Sequence, residues 1–157
     1  MPVAFVIKLL KRDLGMTKIL QIRAHHFLCE PGYKGVNYDQ NAKTSWDTIT
    51  TYLKENPNAK IEIVEGPDSF CSSCPKKGVN CTETYTKQLD DTVQKLLDLK
   101  IGAIYIYKQI SEKLKEMLDP EKHAKACGDC YWRTLGFCKD TFKKQSPENI
   151  QSLHGNF

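Results

Sequence analysis

The chain has 157 residues, 40% of them apolar and 27% charged, with a formal net charge of +4. That balance fits one soluble globular domain and excludes a disordered chain, which needs fewer apolar residues or a larger net charge. No stretch approaches the roughly 20 uncharged apolar residues of a membrane span, and no basic stripe is interleaved with aromatics, so neither membrane nor nucleic acid is an expected partner.

Residues 1 to 15 hold a short apolar run broken by Lys8, with Lys11 and Arg12 behind it and no small-residue cleavage site. This is not the order of a secretory leader. We read 1–15 as an extension outside the domain, with Met16 as an alternative start. Leu20, Ile22 and Ala24 then alternate with Gln21, Arg23 and His25. Period two predicts a half-buried strand over 19–24, running into His25-His26-Phe27-Leu28-Cys29 and ending at Pro31-Gly32. A glycine-punctuated loop follows to Tyr38.

Ala42, Trp46, Ile49 and Leu53 form one apolar helical stripe, stopped at Asn56-Pro57. Ile61 and Ile63 predict a second strand over 60–65, closed by Gly66-Pro67. Strand, helix and strand in this length predict a parallel βαβ unit. A cysteine loop runs from Asp68 to Cys81, and Thr82 can cap the next helix. That helix carries Tyr85, Leu89, Val93, Leu96 and Leu97, and Gly102 breaks it. Another helix carries Ile106, Ile110, Leu114 and Met117. Asp119-Pro120-Glu121 starts a short helix that delivers Cys127 and ends at Gly128. A second cysteine loop runs to Cys138, and the chain from Lys139 onward is polar and loosely held. The whole reads as an α+β fold over residues 16–145: a small sheet around a βαβ unit, a mostly helical second half and two cysteine-rich metal loops. Residues 146–157 form a loose polar tail.

Seven cysteines cannot all pair within one chain. Cys71, Cys74 and Cys81 form C-x2-C-x6-C, and Cys127, Cys130 and Cys138 form C-x2-C-x7-C, with Cys29 apart. Two near-copies of one pattern point to thiolate ligands in a reducing, cytoplasmic compartment and away from a disulfide scaffold. Two thiolates separated by two residues can face one ion or one cluster from a tight turn, and a later third closes the loop. Pro75 behind Cys74 resembles the Cys-Pro step of some ferredoxins. Pro75 and Tyr131 stand where common zinc knuckles place glycine. An iron–sulfur cluster is therefore the first expectation, structural zinc the alternative, and redox-active dithiols the third.

Two four-ligand sites need eight groups. If the two strands are parallel neighbours, Cys29 and Cys71 both emerge beyond their carboxyl ends. On that topology Cys29 is expected to join Cys71, Cys74 and Cys81. The second triad then takes a donor from His25, His26 or His123, or keeps an open position. Strand alternation sends His25 and His26 to different targets, and adjacent histidines near a strand end are more often hydrogen-bonding or core residues than ligands. Arg23 can pair with Asp68, screen a cluster or sit on the surface. Trp132 either shields a cluster or packs in the core. Asp90-Asp91 reads as a solvated helix face.

Arg23-Ala24-His25-His26-Phe27-Leu28-Cys29, the Gly32-Tyr33-Lys34-Gly35 loop and both cysteine triads together resemble a known family. It is a small bacterial and archaeal domain of unknown function marked by an RAHH-x-LC signature. The resemblance spans about residues 18 to 138. It implies an iron–sulfur centre and no established activity, with matching positions at His25, His26, Cys29, Asp68, Cys71, Cys74, Cys81, Cys127, Cys130 and Cys138. Asn37 stands where glycine is expected before Tyr38, and asparagine tolerates the left-handed backbone such a turn needs.

No G-x-G-x-x-G, P-loop or G-x-S-x-G occurs in the chain. The leading expectation is an iron–sulfur protein of electron transfer or redox sensing, partnered by a redox protein or a small molecule. The alternatives are a zinc-stabilised binding module and an enzyme whose metal has an open position, with His25 or His26 as acid–base.

Overall fold

The computed structural model describes residues 19–75, 84–128 and 130–143. The expected extension at 1–15, Cys81, the Thr82 cap and the tail at 146–157 lie outside the described residues.

The architecture is α+β, with a small three-stranded sheet and a mostly helical second half. Strand β1 (Leu20–Ile22) pairs in parallel with β2 (Lys60–Ile63), Leu20 opposite Ile61 and Ile22 opposite Ile63. Between them come a short helix α1 (His26–Cys29), a 3-10 turn (Glu30–Gly32) and helix α2 (Gln40–Glu55). This is the expected βαβ unit. Asp39 caps α2 by accepting the Ala42 N–H at 2.8 Å, which satisfies one of the amides a helix start leaves unpaired.

A third strand, β3 (Ile104–Ile106), pairs antiparallel with β2 and corrects the sequence reading, which assigned Ile106 to a helix. Three residues cannot display period two, and Ile106 also fits the i, i+4 step to Ile110. The turn at Gly102 (φ 81°) makes the return possible without a Cβ penalty. Helix α3 (Thr84–Leu97) precedes this strand; α4 (Tyr107–Met117), α5 (Pro120–Cys127) and α6 (Tyr131–Thr134) follow it. Asp119 caps α5 through the Lys122 N–H, Pro120 takes its first position, and Gly128 follows its end at φ 56°.

Ile22, Ile61 and Ile63 of the sheet are fully buried with Ile49 and Leu53 of α2, Val93 and Leu97 of α3, and Ile110 and Leu114 of α4. Each contributes about 1.5–3 kcal/mol by leaving water. Phe142 joins this core, its ring centroid 4.8 Å from that of His123. The polar segment after Lys139 is therefore packed at least as far as Phe142.

The outer edge of β1 is covered by the turn at residues 68–71. Ser69 Oγ accepts the Gln21 N–H at 3.1 Å, and Asp68 Oδ2 accepts the Arg23 N–H at 2.7 Å. The strand ends at Ile22, two residues short of expectation, and the chain turns at Ala24-His25, where the His26 N–H reaches Arg23 O at 3.1 Å.

Candidate functional site

This early turn decides the site. A strand continuing through His25 and His26 would point them to opposite faces. Winding into α1 instead sets both rings side by side, with centroids 4.6 Å apart, in the wall of one cavity. The cavity has a volume of about 340 Å³. Cys29, Cys71, Cys74, Cys130 and Cys138 also line it, so two members of each triad face the same space. Tyr33, Tyr38, Trp46, Phe70, Trp132 and Phe137 supply aromatic walls. Trp132 thus borders the site, 5.1 Å from the ring of Tyr38.

Each histidine is anchored by its own buried carboxylate. His26 Nδ1 lies 2.7 Å from Asp68 Oδ2, and His25 Nδ1 lies 2.8 Å from Asp90 Oδ1. The expectation of separate partners holds, though not for the reason of strand alternation. Asp68 caps its 3-10 turn (Ser69–Cys71) and accepts four donors: the Arg23 and Phe70 amides, His26 Nδ1 and, at 3.3 Å, the Cys71 thiol. Asp90 also accepts four: the His25 amide and Nδ1 on Oδ1, and Nε and Nη2 of Arg23 on Oδ2. A carboxylate offers about four lone-pair positions, so both are saturated.

Burial alone would raise both carboxyls, but the donors outweigh it. They hold Asp90 down at about 2 and Asp68 below its ordinary value. Burial lowers His25 to about 4, more than the bond to Asp90 raises it. At neutral pH His25 is therefore an uncharged imidazole whose Nδ1–H donates to an ionised Asp90, and its Nε2 carries the lone pair. The same donor arrangement fixes His26 on Asp68.

Asp90 is the residue the sequence reading missed. It was expected on a solvated face with Asp91, yet it is buried while Asp91 is exposed. The signal was present: Asp90, Val93 and Leu97 stand at i, i+3 and i+7, on one face of α3. Arg23 was open between three roles; its backbone serves Asp68 and its buried guanidinium serves Asp90.

The six described cysteines, Cys29, Cys71, Cys74, Cys127, Cys130 and Cys138, are free thiols. Cys29, expected beside Cys71, Cys74 and Cys81, shares a cavity wall with Cys71 and Cys74 and also lies near the second triad. Burial raises its pKa well above the ordinary value, and the thiols that add to this are Cys130, Cys127 and Cys138, all of the second triad. The physical reason is the tie between α1 and α5: His123 Nε2 lies 3.1 Å from Leu28 O. That bond holds the end of α1 against the helix that carries Cys127. Gly32 packs as closely on the other side, where a Cβ would meet Cys138 Sγ at 3.3 Å and Thr141 Oγ1 at 2.6 Å. Tyr85 further donates its hydroxyl to Cys127 O, joining α3 to α5.

Burial, then Cys130 and Cys138, pushes Cys127 up to about 12, with Arg133 opposing. Cys138 is also raised, by burial and Cys130, against Arg133 and Lys34. Cys71 reaches about 12 through burial and its neighbour Asp68. His123, once a candidate donor, is fully buried and bonded to the backbone. Its Nδ1 and Arg133 Nη1 are buried without hydrogen-bond partners among the described residues.

A family model described as a protein of unknown function, DUF1284, matches residues 37–136. The chain belongs to the DUF1284 family. The match contains the segment from Asn37 through both C-x2-C pairs, while His25, His26, Cys29 and Cys138 lie outside it. No curated protein and no solved structure matches this DUF1284 chain. Among its described residues, the one set of three metal-binding side chains whose ligand atoms all lie within 4.8 Å of one another is His26, Asp68 and Cys71. No described helix is long and apolar enough to cross a membrane.

Proposed function

We propose that this chain is an iron–sulfur protein of a reducing, cytoplasmic compartment, with a cluster held by Cys29, Cys127, Cys130 and Cys138, acting in electron transfer or redox sensing. The observation that carries this reading is the gathering of Cys29 with the second triad, four thiols from two stretches of chain that the His123–Leu28 bond and the packing of Gly32 on Cys138 hold together. Their spacing supports a cluster over a single ion. Zn–S bonds near 2.3 Å would bring tetrahedral sulfurs within about 4 Å of one another. Among the described residues no three of these thiols meet even a 4.8 Å limit, whereas a cluster is a larger body that separates its ligands.

A bound cluster supplies one-electron redox chemistry. The chain's own part is to bind it and set its surroundings. Cys127 and Cys138 are buried and Cys29 and Cys130 half-buried, and positive iron would relieve the repulsion between their thiolates. Trp132 and Phe137 limit solvent access from the cavity. Arg133, the cation acting on both Cys127 and Cys138, stabilises negative charge there.

Anaerobic purification followed by iron, acid-labile sulfide and zinc analysis tests the reading. Iron and sulfide in matching amounts, lost in Cys29→Ser and Cys138→Ser, are expected. A colourless protein with stoichiometric zinc and no sulfide would replace it with the zinc-stabilised module.

A further inference from the structure

Asp68 and Asp90 are both buried, and the donors around them hold both ionised, yet only Asp90 is bonded to a permanent cation. It takes the Arg23 guanidinium at 2.6 Å. The four donors on Asp68 are the amides of Arg23 and Phe70, the His26 ring and the Cys71 thiol, none of which carries a permanent charge. Its side chain is completely buried, and a buried carboxylate without a compensating cation is costly. Two of its acceptor positions are held by backbone. The other two face groups that are themselves metal donors, each offering a proton where a cation can sit.

Among the described residues, His26, Asp68 and Cys71 are the one set of three metal-binding side chains whose ligand atoms all lie within 4.8 Å of one another. Zinc bonds of about 2.0–2.3 Å put tetrahedral ligand atoms roughly 3–4 Å apart, inside that limit. Asp68 Oδ1 and Cys71 Sγ, 3.3 Å apart, already have this spacing. His26 Nδ1 lies closer to Asp68 Oδ2, at 2.7 Å, because a proton and not an ion is between them. One carboxylate and one thiolate also cancel a divalent charge, so the loaded site would bury no net charge.

We infer that His26 Nδ1, the Asp68 carboxylate and Cys71 Sγ bind a divalent transition-metal ion, in a mononuclear centre separate from the four-cysteine site. This inference stands independently of the cluster. His26 binds as a neutral imidazole, its ring proton carried on the other nitrogen. Cys71 releases its thiol proton to solvent as the thiolate takes the ion. Asp68 keeps its two amide bonds and turns its remaining acceptor positions to the metal. Imidazole nitrogen with thiolate selects zinc, iron or cobalt and disfavours magnesium and calcium, which need oxygen. His26 and Cys71 both line the aromatic cavity, which gives the ion an entry path. His25 takes no part, since its Nδ1 stays on Asp90.

Cobalt(II) is the probe. The full chain, stripped of metal under anaerobic, reducing conditions, is titrated with cobalt(II). Binding is read by visible absorption and by pulsed EPR, which detects directly bound imidazole nitrogen. The expected result is a bound cobalt ion coupled to a single imidazole and showing thiolate charge transfer. Loss of an outer partner of a metal site costs about 10- to 100-fold in affinity, so loss of a direct ligand in His26→Gln or Asp68→Asn should weaken this ion's binding by at least about tenfold. The imidazole coupling should vanish in His26→Gln and persist in His25→Gln and in Cys138→Ser. In Cys71→Ser the coupling should remain while the charge-transfer band of that ion is lost. Cobalt held only by thiolates, or coupling that survives in His26→Gln, overturns the proposal. So does imidazole coupling found on an iron–sulfur signal, since the ring would then belong to the cluster. If the variants do not fold, the unmodified chain decides by itself: coupling to one imidazole supports the centre, and coupling to none or to two overturns it.

Discussion

His25 Nδ1 lies 2.8 Å from Asp90 Oδ1 across 65 residues of chain, and the same oxygen accepts the His25 amide at 3.0 Å. The second oxygen of Asp90 takes the buried Arg23 guanidinium at 2.6 Å. One carboxylate on α3 therefore fixes the end of β1, the turn after it and a ring in the cavity wall. Removing one member of a buried pair leaves the other desolvated without compensation. Asp90→Ala is expected to cost about 3–5 kcal/mol in urea denaturation, while the exposed neighbour change Asp91→Ala stays within about 0.5 kcal/mol. Equal effects for the two would show that Asp90 anchors nothing.

Acid should weaken the metal-stripped chain through His25. Burial holds its pKa at about 4, against about 6.5 in the unfolded chain. The groups facing it are Asp90, His26 and Arg23. As pH falls, the unfolded state takes up this proton first. Stability is complete above about pH 6.5 and declines toward pH 4, by at most about 1.4 kcal/mol per pH unit from this group. Chemical denaturation across that range should show the slope, and His25→Gln should reduce it. A slope unchanged in the variant assigns the effect elsewhere.

Cys29 should behave as a member of the second triad. Cys29→Ser and Cys138→Ser are expected to lose iron and sulfide alike under anaerobic isolation. Retention of full metal content in Cys29→Ser, with a stability loss of about 1–3 kcal/mol from a buried hydroxyl, would mark Cys29 as a core thiol.

Gly32 is close-packed, and its hydrogen is what lets the turn after Cys29 approach Cys138. In Gly32→Ala the new Cβ would sit 2.6 Å from Thr141 Oγ1 and 3.3 Å from Cys138 Sγ. Overpacking of this kind costs about 1–3 kcal/mol, and the thermal midpoint should fall. Thr141→Ser leaves that oxygen in place, whereas Thr141→Ala removes the closest clash. The double variant Gly32→Ala/Thr141→Ala should therefore recover much of the loss.

Arg133 places a positive charge near Cys127 and Cys138, with Nη1 buried and lacking a hydrogen-bond partner among the described residues. Charge and hydrogen bonds at the sulfurs tune a cluster's potential. Arg133→Gln is expected to lower the midpoint potential measured by redox titration, because the reduced, more negative state loses its cation. An unchanged potential would assign Arg133 to packing alone.

Local periodicity in the chain was enough to recover the parallel pair of Leu20–Ile22 and Lys60–Ile63, helix α2, and the capped start of α5 at Asp119-Pro120. These follow from the spacing of apolar residues and from end signals, which act over a few positions. The thiols and the two histidines were legible as candidates for the same reason: their residue types and spacings carry chemistry by themselves. Tertiary structure decided what each candidate touches. Asp90, 67 residues from Arg23, could become its partner only once α3 was laid beside β1. Cys29 came near the second triad because His123 tied α1 to α5, while Asp68 fastened the chain at Arg23 just before that turn. Those bonds join residues 45 and 95 positions apart, and no periodicity within a single element encodes them.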